Sequence, residues 1–428
     1  MVSFGNIQFL RLTFILLFFT VLGRNLFSVN RYWDTDGADS LDAGWNSTNW
    51  NTNSDGSGTK SGWTNQDIAI FSAGTNVATE PSTITANLNS ATLGGLTVEE
   101  GDITIDASDS GTLTLSANAD FEVADGSTLT ITEPLLFNSK TLNKTGKGLL
   151  TFSAGVGGTT TIEQGKIDIA SGVDLSSGTF TGTLGAGTSN KSIIGGLGTV
   201  NSITIGDGNN EIDFIAPGLG YSSSLTSASS QKQVAAERST GAVGTFTTGI
   251  LNWNSGGVYD WEVKTFTPGT TDGAYDVLAF TTINFEASQT FNINVMSVSN
   301  DAGSAGAVTN LDQTMNNFTG TGGFKFLSGN TVNNMGSGDV TDSFNIRSDD
   351  FYYTNNNWMG DWGVWRDGGD FYLTYSVAPE PSTYIMISAL FLVIGVNQSS
   401  RKTFRSIIDS LKTKFSKNPK QPVPVELK

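Results

Sequence analysis

The 428-residue chain contains no cysteine and no histidine, nine prolines, and 23 Lys and Arg against 40 Asp and Glu. Each shortage closes a class of function. The absence of cysteine excludes disulfides, and a chain long enough for two or three domains of roughly 100 to 200 residues can build real cores without them. The absence of histidine removes Ser-His-Asp and Cys-His triads, His-ligated zinc or haem, and the ordinary proton shuttle near neutral pH. A net charge of −17 argues against a nucleic-acid partner, whose backbone requires clustered Lys and Arg. No metal or cofactor is expected. What is present points one way: 15% of residues are charged, Gly alone numbers 51, and Thr, Ser and Asn are abundant. Such a composition suits short strands joined by many turns.

Neither end reads as part of the fold. Residues 1–31 carry Arg11, then the apolar run Leu12 to Leu22, then Gly23 and Arg24, the layout of a signal peptide. Val21 and Gly23 are small enough to flank a cleavage site, a cut after Ser28 is the other choice, and an uncleaved N-terminal anchor is the alternative; each sends the chain into the secretory route. Near the other end come Ala378, Pro379, Glu380, Pro381, Ser382 and Thr383. An apolar stretch follows from Tyr384 through Leu390 and Phe391 to Val396, and then Arg401, Lys402 and Arg405. The two prolines stiffen an extended segment and prevent a helix from starting early. The 13 apolar residues span about 20 Å as a helix, short of a hydrocarbon core of roughly 30 Å. The basic cluster behind them would hold the tail in the cytoplasm and leave everything before it outside.

A Pro-Glu-Pro triplet, a short apolar helix and a basic cluster, in that order over Ala378 to Lys402, resemble the PEP-CTERM sorting signal. The resemblance implies an exosortase as partner, a membrane cysteine protease of exopolysaccharide-producing Gram-negative bacteria that cuts near the triplet and passes its substrate to the surface. It also implies contact with the inner membrane before processing. This chain departs from the pattern by continuing to Lys428. Between Thr403 and Phe415 apolar residues recur at helical spacing with Lys between them, so residues 403–428 form either a basic amphipathic helix on the inner leaflet or a disordered cytoplasmic tail.

Between the ends, Tyr32 to Val377 holds 12 basic and 37 acidic residues. Such acidity keeps a secreted protein soluble. Apolar-polar-apolar triplets recur here: Leu96 to Val98, Ile103 to Ile105, Leu113 to Leu115, Phe121 to Val123, Leu129 to Ile131, Ile167 to Ile169, Val173 to Leu175 and Ile203 to Ile205. Their period of two means short strands with one buried face, and turn pairs such as Glu100-Gly101 and Asp125-Gly126 fill the gaps. A hairpin meander and a solenoid both fit the spacing. The solenoid is preferred, because triplets this short and uniform bury their inward residues only against coils above and below.

From Leu142 through Lys144, Gly146, Gly148, Leu150 and Phe152, and again from Gly158 to Ile167, the sequence resembles the autotransporter-associated β-strand repeat. Gly196 to Val200 and Ala216 to Gly218 resemble the segments that close such passenger regions. The resemblance implies a parallel β-helix and says little about function, since glycines serve turns and Leu or Ile fill the lumen.

The expected fold is therefore all-β: a signal helix at 1–31, a β-rich N-terminal cap at 32–95, a right-handed parallel β-helix at 96–220, a loop or linker at 221–248, and a small β-sandwich-like domain or cap at 249–377. A sorting signal with a transmembrane helix at 378–402 and the tail complete it. Trp33, Trp45, Trp50 and Trp63 would cap the first coil.

Candidate sites are few. Trp358, Trp362 and Trp365 would offer a platform for sugar rings, although aromatic side chains are also the usual filling of a cap or core, and that reading is preferred. Asp34, Asp36 and Asp39 around Gly37 have the oxygen chemistry calcium prefers but lack the rest of any calcium loop, so an acidic turn is the better reading. Glu211 with Asp213, and Asp349 with Asp350, are acidic pairs of the kind polysaccharide lyases and hydrolases use, undistinguished in spacing. Thr-x-Thr steps at 112–114, 128–132 and 159–161 are those of flat threonine ladders that bind ice, but look few and irregular. The expected function is non-enzymatic: an exported surface or matrix protein, structural or adhesive, with extracellular polysaccharide as partner. A polysaccharide-active enzyme on the same scaffold is the alternative.

Overall fold

The computed structural model describes residues 28–33, 43–45, 48–71, 83–87, 90–106, 111–176, 181–184, 192–206, 213–218, 243–264, 275–297, 319–350 and 360–377. The chain divides into two compact units, Met1–Thr354 with Trp362–Ser376, and Asn355–Asp361 with Val377–Lys428. Of the second unit only 360, 361 and 377 are described, so the fold is that of the first. The signal segment up to residue 27, the linker from 221 to 242, and the sorting segment with its tail lie outside the described residues. Among the described residues no helix is long and apolar enough to cross a membrane.

The described residues are all-β, relieved by the single 3-10 turns Gly320–Gly322 and Thr341–Ser343. Consecutive triplets do not pair with each other. Leu96 pairs in parallel with Phe121, Ile103 with Leu129, and Leu129 in turn with Leu150. Each coil of chain thus adds a strand to the second sheet and, to the first, either two short strands such as Gly95–Val98 and Leu113–Leu115 or one long strand such as Leu135–Thr145, the arrangement of a parallel β-solenoid and not of a meander.

The second sheet shows why the repeat works. One column of stacked residues runs Ile103, Leu129, Leu150, Ile167, Ile194, Ile215, Tyr259 and Ile293. All of them are buried. Each such side chain contributes about 1.5–3 kcal/mol by leaving water, and none could do so without the coil above and the coil below. The first sheet has an equivalent inward column through Ala69, Leu96, Phe121, Lys144 and Ile162.

Lys144 is the exception in that column, a lysine at a lumen position with no exposed surface. Its ammonium donates to the carbonyl oxygens of Thr145 at 2.7 Å, Gly146 at 2.8 Å and Gln164 at 3.3 Å. Three donors meet three acceptors, two in its own turn and one in the next coil. Gly146 makes the close turn possible: its φ is +70°, and a Cβ there would run into the backbone of Val123 in the coil before.

The region 249–377 differs from the small sandwich anticipated. Its strands Thr245–Trp253, Val277–Phe285 and Phe324–Asn333 extend the first sheet in parallel, and Gly257–Val263, Phe291–Ser297 and Phe344–Asp350 extend the second. The solenoid therefore runs on, with wider coils and an aromatic lumen in which the Trp253 and Phe285 rings stack at 5.8 Å. Capping is confined to a hairpin: Asp370–Val377 pairs antiparallel with Phe324–Asn333, and Gly360–Asp367 with Gly338–Asp339. At the other end the strand Trp50–Asn51 lies antiparallel to Asn30–Trp33. There Trp33, Trp45 and Trp50 are buried together, with the Trp33 and Trp50 rings 4.9 Å apart edge to face. Both devices cover sheet edge or open lumen that would otherwise meet water.

Candidate functional site

On the first sheet the positions between the lumen residues face outward, and their registers form two long columns. One runs Thr141, Thr159, Thr181, Ser202, Ile250, Thr282 and Thr331; the other, two residues further along each strand, runs Asn143, Thr161, Thr183, Thr204, Asn252, Asn284 and Asn333. Rungs of a sheet stand about 4.8 Å apart and positions i and i+2 roughly 6.6 Å apart, so the described side chains of the two columns make a mostly polar lattice, interrupted at Ile250; those of Thr181 and Thr183 lie outside the described set.

The second column is internally hydrogen-bonded. The Asn252 amide donates to Thr204 Oγ1 at 3.1 Å, Asn284 to Asn252 Oδ1 at 2.8 Å, and Asn333 to Asn284 Oδ1 at 2.7 Å. Bonds running one way along a stack polarise each other. An asparagine side chain has two donor hydrogens and two acceptor lone pairs, so Asn252 and Asn284 each keep one of both outside the ladder. Directly behind them in sequence, Trp253 and Phe285 fill the lumen, and this stacked pair fixes the strand on which each amide stands.

Where the strands turn, Thr204, Gly206, Asn252, Asn254, Asn284, Phe285 and Glu286 line an open groove of ≈ 440 Å³. Asn254 Nδ2 donates to the Gly206 carbonyl at 3.2 Å, and the Ser255 N–H donates to Glu286 Oε2 at 2.8 Å. The lining holds four neutral hydrogen-bonding side chains, one carboxylate and no cation. It suits a ligand that both donates and accepts, and no step of bond-making chemistry is apparent in it.

Among the described residues two ionisable groups elsewhere are displaced as far as neutrality. Burial lowers Lys144 to about 7, the neighbouring Lys166 adding to the effect and Glu122 opposing it. Burial also raises Asp168 to about 7. Lys144 is spent on the coil-to-coil clamp described above, and both are features of the stack.

The residues anticipated from sequence fall out as follows. Trp362 packs into the core against Trp261 at 6.1 Å and Tyr375 at 4.9 Å. Trp365 is three residues away on the same strand, and strand alternation puts the two on opposite faces, so they form no shared platform. Trp358 lies outside the described residues, as do Pro379, Glu380, Pro381, Ser382, the apolar stretch from Tyr384 to Val396, and Arg401, Lys402 and Arg405. Asp34, Asp36, Asp39 and Glu211 are likewise outside. Asp213 is fully buried and accepts a 2.6 Å bond from Ser192 Oγ, the place of a structural carboxylate. Asp349 and Asp350 end the strand Phe344–Asp350, their side chains outside the described set. Among the described residues no three acidic side chains gather as a metal would require.

The asparagines of the ladder carried no sequence signal, because 48, 32 and 49 residues separate consecutive members. The Thr-x-Thr step at 159–161, which looked irregular along the chain, belongs to the same lattice. Compared with known proteins, the chain matches no protein-family model, no curated protein and no solved structure.

Proposed function

We propose that the protein is an exported cell-surface or extracellular-matrix component, structural or adhesive, that associates with exopolysaccharide after sorting by an exosortase-type protease. The observation that carries this reading is the in-register polar ladder with its neutral groove, set on an outward face of a stiff parallel stack. Such a scaffold repeats one hydrogen-bonding unit along its length, which is what a repeating polymer needs. The motif from Ala378 to Lys402 supports export and sorting, and the turn glycines and Lys144 give a physical role to the residues that resemble the autotransporter-associated repeat. The right hand of the coil is part of the same proposal, being the hand that twisted strands and parallel crossovers favour.

The test is intact mass and fractionation of the mature protein from its native host, with and without the sorting protease. The expected result is a chain ending near Pro379 to Ser382 in the matrix or outer surface fraction, lost when the protease is absent. A chain still ending at Lys428 in the inner membrane would remove the sorting reading.

A further inference from the structure

We propose that the groove beside the asparagine ladder is a binding site for a neutral, hydroxyl-rich glycan chain that lies along the stack axis, across successive coils. The inference rests on the exported, matrix-associated reading and names the ligand class of its site. Its argument is the donor and acceptor content of the lining. Asn252 and Asn284 each retain one N–H and one lone pair beyond the ladder bonds, and sugar hydroxyls likewise donate and accept at once.

Other occupants fit less well. An anionic glycan would meet no Lys or Arg in the lining and would meet Glu286. A metal ion would find one carboxylate, already holding the Ser255 N–H. An apolar ligand would find Phe285 turned into the lumen, with 1% of its surface exposed. Direction follows from register: the amides succeed one another from coil to coil, about 4.8 Å per rung, so a ligand that uses more than one of them must cross the strands. An ordered layer of water, as on an ice surface, would use the flatter Thr part of the lattice around Thr159 and Thr161 and would have no use for a concave groove.

The test is calorimetric titration of the full chain with neutral hexasaccharides cut from cellulose, dextran and xylan, and with hexagalacturonate as the anionic control. Wild type and the double variant Asn252→Thr/Asn284→Thr are compared. Threonine already stands in this column at 161 and 204, so the stack should accept it. At least one neutral hexasaccharide should bind, hexagalacturonate should bind at least ten-fold more weakly, and the double variant should lose about three- to ten-fold per amide with an unchanged melting curve. If the double variant melts early, Asn284→Gln, which keeps the amide but moves it, should show the same loss. Equal binding by wild type and the folded variant would overturn the proposal. So would tighter binding of hexagalacturonate, or no neutral sugar bound alongside ice shaping by the wild type. Fractionation reports on export alone and titration on the groove alone, so the two readings fail separately.

Discussion

The two sheets share one inward pattern and diverge along their outward faces. Among the described side chains, the first sheet wears partly or fully exposed Thr, Ser and Asn, with Ile250 as the one apolar member of its two columns. The second begins the same way: Thr104, Thr130 and Thr151 stack in register and remain partly exposed. From the strand Gly165–Ile169 to the strand Phe291–Ser297 most of its outer face is buried instead. Lys166, Ile193, Phe214 and Val258 follow one another in a single column, and Ile193, Phe214, Ala216 and Val258 form a hydrophobic cluster. The lesson is that a solenoid's lumen is generic and its outer faces are individual. Interior packing builds the rod, while the choice between threonine and isoleucine on the outside decides whether a face is a second core or a hydrated surface.

The comparison breaks first at Phe214. Its replacement by alanine should cost about 3–5 kcal/mol in urea unfolding, the loss expected of a fully buried aromatic side chain, although it lies outside the lumen. A cost below 1 kcal/mol would mean that the second sheet's outer face is an ordinary surface. Gly195→Ala probes the same packing from the backbone, because a Cβ there would overlap the carbonyl oxygen of Ala216 in the next coil. It should destabilise by about 3 kcal/mol or by slightly less.

Protonation sharpens the boundary between the two kinds of face. Asp168 stands in the outward Thr column of the second sheet, directly after Thr151, and burial raises it to about 7. The folded chain then holds a proton that the unfolded chain releases near 3.8, so stability falls as pH rises from about 4 to 7. Lys144, lowered to about 7 from 10.5, acts in the opposite sense: the unfolded chain binds the extra proton between these values, and stability rises as pH goes from 7 to 10.5. Together they place the minimum of these two contributions near neutrality. Asp168→Asn should gain on wild type progressively between pH 4 and 7, by at most about 4 kcal/mol, and Lys144→Met should flatten the rise above pH 7. A pH-independent difference between Asp168→Asn and wild type would show that the face around Asp168 is as wet as that around Thr151.

Ser192→Ala follows. It deletes the 2.6 Å bond to the buried Asp213 carboxylate and should cost about 1–3 kcal/mol. The isosteric change Thr282→Val, at a half-exposed position on the first sheet, should fall within about 0.5 kcal/mol.

How much of this was legible beforehand follows the same division. The triplets from Leu96 to Ile205 announced themselves because each buries its two outer members, and all of them lie within strands except Val173, which stands just before the strand Asp174–Leu175. Past residue 245 a single strand such as Thr245–Trp253 turns through two sides of the coil, which erased the triplet and made a sandwich look plausible. Columns on the outer faces were hidden for a different reason. They depend on register between coils, and insertions of unequal length between strands leave no fixed period to read. Burial on the second sheet was half visible: Ser192–Gly196 lacks the polar alternation of a one-sided strand, the pattern of sheets covered on both faces, whereas Phe291–Ser297 alternates through Asn292 and Asn294 and is nonetheless buried throughout.

The smallest expected effect is also the most discriminating. Thr159→Val keeps the β-branched shape and removes one outward hydroxyl from the lattice, at a position exposed to water and three residues before the lumen residue Ile162. If the first sheet's outer face serves only to be wet, stability should change by less than about 0.5 kcal/mol, and the change should be the same with or without bound glycan. The corresponding experiment at Ile193 on the second sheet, Ile193→Thr, inserts a hydroxyl into the buried cluster and should cost about 1–3 kcal/mol for an unpaired polar group alone. The two substitutions are near mirror images, Thr to Val and Ile to Thr, made on outward positions of the same solenoid. Differential scanning calorimetry of the pair therefore measures the contrast between the faces directly. Equal shifts in melting temperature would mean that the two faces are energetically alike and that the ladder, too, is part of a core.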